Sequence, residues 1–405
     1  MRSKTFLLVI AAGLALGGCG DEGPPAGCDR FVSPGGDDQT NVQLMFEEAQ
    51  DEETLCFRAG TYSFTDPIAI SRHTGVTIRG AGATRDDVVL DFQTQTAGEK
   101  GLNVTSMDDV LIENLTILDA TGDNLFVTGS DGVTIRNVRS GWVTRPIEAR
   151  GKYAIYPVQS TNVLVEDSEA FGSSDAGIYV GQTTNCLVRR NVAVGNVAGI
   201  EIENSSNCEV VDNEAYENTG GILVFELPGL PMRGGSTLIH DNIVRDNNVP
   251  NFAPGGVVEL LPAGTGMMVL AANQVEIRDN QITGNESTGI LVASYTAAVF
   301  LGEPMPTDPD YDLYIDDLWI HGNTFTENGT APHEPLFQIA VVGGATTLED
   351  VVWDGELAEG ASATDFCFEG EGTFRDGNLA SMFMTQSTDR APYMCTGAAV
   401  PGVTL

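Results

Sequence analysis

Positive charge is what this chain has least of. Lysine and arginine number 20 against 57 aspartates and glutamates, a formal net charge of −37 at pH 7. So acidic a surface repels phosphate backbones, and no nucleic acid partner is expected. Histidine is scarce as well. His73, His240, His321 and His333 are the four, and neither His-x-x-x-His nor Cys-x-x-Cys spacing occurs. No zinc or copper centre is expected from such a set, and no cofactor. Asp308, Asp310, Asp312, Asp316 and Asp317 crowd one loop and would suit Ca²⁺, but the EF-hand spacing and its glycine are missing. A solvated acidic loop is the expectation there. Beyond Phe6 to Leu16 no run is long and apolar enough to cross a bilayer.

What is present begins with a processing signal. Arg2 and Lys4 precede the apolar run, and Leu16-Gly17-Gly18-Cys19 resembles a bacterial lipobox. Residues 1–18 then form a signal peptide, Cys19 carries the lipid, and 19–27 is a Gly/Pro tether. The expectation is an exported protein anchored by lipid in the cell envelope. Gly20 rather than Asp follows Cys19, which favours the outer membrane, facing the periplasm or the exterior.

A short pattern then organises the chain. Asn-x-x-x-x-Asn recurs at Asn191–Asn196, Asn213–Asn218, Asn242–Asn247, Asn280–Asn285 and Asn323–Asn328. Ahead of each lies an alternating segment such as Cys186-Leu187-Val188-Arg189 or Val275-Glu276-Ile277-Arg278. First and third positions are apolar, so they face inward with period two. Val76, Val110, Val133, Val163, Cys186, Cys208, Thr237, Val275 and Leu318 head these segments, at steps of 34, 23, 30, 23, 22, 29, 38 and 43 residues. A basic turn of 22–23 residues with insertions explains that series. A second column precedes the first by eight residues, at Ile155, Ile178 and Ile200, and the Asn segment makes a third. A unit this small buries no core alone and must stack on its copies. The reading is all-β: a right-handed, single-stranded parallel β-helix, with strands about 4.8 Å apart. Asn suits both a left-handed bend and side-chain amide stacking.

The expected divisions are an N-terminal cap and first turn over 28–70, repeats over 71–345, and a C-terminal cap over 346–405. A helix from Asn41, with Asn41 as its N-cap, closes the first end. Six cysteines follow Cys19. In an exported chain they suggest disulfides, and nearest-neighbour pairing gives Cys28–Cys56 and Cys367–Cys395. Cys186 and Cys208 fall on adjacent turns with Cα atoms within disulfide range, but parallel Cβ vectors favour two buried thiols. Insertions at 227–235, 250–264 and 294–316 are long enough to be functional.

Ala154-Ile155-Tyr156-Pro157-Val158-Gln159-Ser160, Ser174-Asp175-Ala176-Gly177-Ile178-Tyr179-Val180-Gly181-Gln182 and the run Gly195 to Asn204 are similar to a family of exported bacterial parallel β-helix repeat proteins, many of them lipoproteins. The resemblance runs from about Cys56 to Asn328. It implies a pectin-lyase-like fold, which hosts polysaccharide lyases, hydrolases, epimerases and non-catalytic proteins. It also implies an exported protein partner for some members. The Asp-Pro-His-Asp run of alginate epimerases is absent, as is the Gly-His-Gly set of polygalacturonases. Whether the chain catalyses anything is left open.

One surface stands out. Tyr156, Tyr179 and Glu201 share an outward position on successive turns, with Lys152, Tyr153, Asp175 and Glu203 beside them. Aromatic faces and polar groups repeated at strand spacing suit a polysaccharide lying along the coil. Tyr or Lys is then a candidate base, and the carboxyls a candidate acid–base pair. The competing readings are decorated sheet surface, and an envelope scaffold that docks an exported protein through its insertions.

Overall fold

In the computed structural model residues 23–362 and 364–405 are described. Cys19 and the signal segment lie outside them. Among the described residues no helix is long and apolar enough to cross a membrane.

The backbone winds into a right-handed parallel β-helix. Val133, Val163, Cys186, Cys208, Thr237, Val275 and Leu318 pile in one row, each paired in parallel with the next. All are buried in one continuous core or its lining. The second column forms an 11-stranded sheet from Ile68–Ser71 to Phe374–Asp376. The first and third merge into a 20-stranded sheet, because Asp108–Leu118 and Asp131–Gly141 run through both.

Two amide ladders hold the turns in register. Along Asn191, Asn213, Asn242, Asn280 and Asn323, each side-chain oxygen accepts from the preceding Asn's amide nitrogen and backbone N–H at 2.9–3.0 Å. Asn196, Asn218, Asn247, Asn285 and Asn328 repeat this one bend later. Their nitrogens also donate to inner backbone carbonyls, such as Asn213 to Val188 at 2.9 Å. The left-handed residue of each bend is not the ladder Asn but its predecessor: Arg190, Asp212, Asp241 and Asp279 have φ of 52–55°. Asn is there for its amide. A glycine stack runs beside the second ladder. A Cβ on Gly199 or Gly221 would sit 2.5 Å from the carbonyl oxygen of the glycine one turn on.

Several expectations are corrected. The first helix, α1 (Asp38–Glu47), starts three residues before Asn41 and is capped by Asp37, whose carboxylate accepts from Thr40 N–H at 3.1 Å. Asp37 already caps the helix, which leaves Asn41 a turn inside. The coil also passes residue 345. Val351–Trp353 stacks on Thr288–Ala293, and Phe366–Phe368 on Asp316–His321, behind insertions that hid the phase. Cys186 and Cys208 are bonded, with Cα atoms 4.5 Å apart. Such a spacing leaves room for the two thiols to turn toward each other, which fixed parallel Cβ vectors did not allow for. Cys28–Cys56 and Cys367–Cys395 are bonded at the two ends.

The insertions fold back on the outer face of the second sheet. They include α2 (Tyr295–Phe300), and further on α3 (Leu336–Val342) packs there too. The last ten residues lie against the first column. Val400 N–H donates to Glu276 and Val403 N–H to Glu209, both at 2.6 Å, while His321 and His240 hold the other oxygens.

Two outcomes follow for the ladder and the central bond. Asn213→Ala leaves buried donors and acceptors unmatched on both neighbouring turns and should cost about 2–4 kcal/mol in urea denaturation. Asn207→Ala, in a shallower ladder at the surface, should cost under about 1 kcal/mol. A non-reducing peptide digest should contain a Cys186–Cys208 cross-link, and Cys186→Ala/Cys208→Ala should lower stability by about 3 kcal/mol.

Candidate functional site

The register places Phe126, Tyr156, Tyr179, Glu201 and Leu223 in one outward row of the second sheet. Ile155, Ile178 and Ile200 beside them point into the core. Tyr153, Tyr156 and Tyr179 form a ring cluster with centroids 4.3, 4.6 and 4.9 Å apart. Phe126 adds an edge contact to Tyr156 at 5.1 Å. Lys100 lies 4.1 Å above the Phe126 ring and is ion-paired with Asp123, its register partner's side chain.

The strip is not open along its length. Lys152 is exposed and Tyr153 and Tyr156 are half-buried, whereas Asp175, Tyr179, Glu201 and Glu203 are buried. Tyr179 belongs to the same apolar cluster as Leu223, Phe225, Val258 and Leu261, the last two from the insertion at 250–264. Outward from the coil is therefore not outward to solvent. Only the edge at Lys152, Tyr153 and Tyr156 faces out.

Inside that edge the chemistry is unusual. The Tyr179 hydroxyl donates to Glu203 Oε1 at 2.5 Å, and the Gln182 amide donates to both, at 3.1 and 3.3 Å. Glu201 and Glu203 are buried on the same strand, two residues apart, and Glu201 Oε2 has no partner. Burial first, then the neighbouring carboxylates, push Glu201 well above the usual carboxylate range. Burial also raises Glu203, and it lifts Asp175 to about 7 against the pull of Tyr153 and Lys152. Glu226, joined to the cluster through Asn204 at 3.2 Å, is pushed up to about 7 by burial.

Burial raises Tyr153, Tyr156 and Tyr179 too, each helped by nearby carboxylates. The tyrosines therefore stay protonated at neutral pH and present ring faces and hydroxyl donors. Asp175 and Glu226 are the carboxyls of this cluster raised to about 7. Among the described residues no three His, Cys, Asp or Glu side chains converge on a point able to hold a metal ion. The aspartates of the 308–317 loop are taken up locally: Asp308 pairs with Arg233, and Asp312 accepts from Tyr314 N–H at 3.0 Å.

Sequence reading missed Phe126, Lys100, Asp123, Gln182 and Glu226. Extending the Tyr156 row back across the 30-residue step at 125–155 reaches Phe126, and three residues before it Asp123 with its register partner Lys100. Gln182 and Glu226 join through contacts outside the row, which no periodicity signals.

The fold is that of a right-handed parallel β-helix protein. Residues 74–229 match the family model described as right handed beta helix region. Among solved structures the chain is similar to the A-module of the mannuronan C-5 epimerase AlgE6 of Azotobacter vinelandii, at 14% identity over 80% of this chain and 87% of that one, with a TM-score of 0.51. It is also similar to pectate lyase Pel9A, at 16% identity over 66% and 68%, with a TM-score of 0.41. No curated protein matches the chain in sequence.

The raised carboxyls set a pH dependence. Asp175 ionises near 3.8 when unfolded and at about 7 when folded, so its contribution to stability is intact below the lower value and lost as pH rises through the upper one. Urea midpoints should fall between pH 4 and pH 7 by more than in Asp175→Asn. At pH 8 that variant should be the more stable by on the order of 1–3 kcal/mol. Identical pH profiles for the two proteins would contradict a buried, raised Asp175.

Proposed function

We propose that the protein binds polysaccharide at the open edge of this cluster, with Tyr153 and Tyr156 as stacking platforms and Lys152 at the rim. The observation that carries the reading is the trio of packed tyrosines, half-exposed at one end and backed by protonatable carboxyls at the other. Sugar rings stack on aromatic faces, and hydroxyls take the hydrogen bonds that neutral carboxyls and tyrosines offer. The shared fold with a protein named as a mannuronan C-5 epimerase supports the same substrate class at the level of architecture.

If a bound glycan is also modified, Asp175 is the group suited to take and return a proton at neutral pH. In this reading the chain is exported and held to the cell envelope through a lipid on Cys19. A scaffold that docks an exported partner through its long insertions has less support, because those insertions pack onto the chain's own sheet.

A glycan array with the full chain tests the reading, together with incubation with uronate polymers. Tyr153→Ala and Tyr156→Ala should each weaken binding about tenfold, a loss of about 1.4 kcal/mol. Tyr179→Phe, further in, should change it less. Retained affinity in the doubly substituted protein would end the proposal.

A further inference from the structure

The outer face of the second sheet changes character toward its later turns. After Glu201 the row continues as Leu223, Met268, Leu291 and Val352. Above these stand the helical turn Val257–Leu260, α2, α3 and the segment around Met382 and Phe383. They enclose a cavity of about 360 Å³ that includes Leu261, Met268, Leu291, Ala297, Leu336 and Ile339 in its wall.

Its few polar side chains are engaged. Asp354 accepts from Ser294 N–H and hydroxyl at 2.7 and 2.6 Å, and Gln338 donates to Glu334 at 2.8 Å. Trp353 is turned the other way, into the core, where it stacks on Phe366 at 4.7 Å. A wall whose polar side chains are already bonded does not hold water, which needs two to four polar partners, and offers even less to a sugar. The wall contains no Lys or Arg. The mouth is apolar as well: Phe300, Leu301, Val342 and Met382 line the cavity and are 52%, 40%, 45% and 65% exposed.

We propose that this cavity is a binding site for a single unbranched aliphatic chain, carried by an uncharged or zwitterionic headgroup. The chain enters between α2 and α3, and the headgroup stays at the mouth. At about 30 Å³ for each water-sized unit, the space holds on the order of a dozen methylenes. Without a cation at the wall, and in a protein of net charge −37, a fatty carboxylate is the poorer ligand. The site is separate from the tyrosine edge and stands whether or not glycan binds there.

The test titrates the full chain with N-phenyl-1-naphthylamine, an uncharged apolar fluorophore, and then displaces it. Fluorescence should rise several-fold on binding. Monolauroylglycerol should displace the probe at concentrations about tenfold below laurate. Ala297→Trp and Leu291→Phe fill the space from two sides; whichever keeps the native circular dichroism and melting temperature should lose affinity at least about tenfold. Wild-type affinity in a folded filled variant would overturn the site, as would failure of monolauroylglycerol to displace the probe. A concentration-dependent dimer that shuts the probe out would overturn it in favour of contact between copies of the chain.

Discussion

Every turn of this chain must land on the one before it in register, and the buried asparagine ladders are what make the landing specific. A parallel strand pair alone tolerates slippage, since its backbone bonds repeat at every step. An amide that accepts from the next amide and also donates to an inner carbonyl does not. Each of Asn213 and Asn242 has both roles, at about 2.9–3.0 Å. A slip by one residue would strand these groups in the core, where unmatched donors cost about 1–3 kcal/mol each. The Cys186–Cys208 bond and the glycine stack sit where the same registration brings neighbouring turns closest.

That registration creates the surface features as well. Stacking turns Tyr156, Tyr179 and Glu201, far apart in sequence, into neighbours on one row. The insertions then decide what kind of neighbours they are. Where 250–264 lies over the row, carboxylates lose water and hold their protons. Where it does not reach, Lys152, Tyr153 and Tyr156 remain in contact with solvent. Further along, α2 and α3 stand off an all-apolar stretch and leave a hollow. One sheet face thus carries two environments of opposite polarity, separated by a few turns.

The columns were legible because their inward residues recur with period two inside a 22–23-residue turn. Their pairing in space matches the spacing in sequence, row by row. Burial of the outer face was not legible. Tyr179 and Glu201 face away from the core, and nothing in their own segments says that the loop at 250–264 will pack over this row. The end of the coil was hidden for a related reason. Val351–Trp353 and Phe366–Phe368 continue the stacks, but α3 and its flanking loops separate them from the preceding rungs. The fate of Cys186 and Cys208 turned on side-chain rotation, which a column of letters does not encode.

The return of the final segment to Glu276 and then Glu209 has a mechanical consequence. In a stack where each layer touches only its neighbours, the natural route to collapse is fraying from a free end. Here the last layers cannot peel away while their own tail stays clamped to carboxylates several layers inward. The molecule is knotted to itself in effect though not in topology, like a coil of rope whose loose end is tucked under its middle. Melting of the far end is thereby coupled to the layers that carry Glu276 and Glu209.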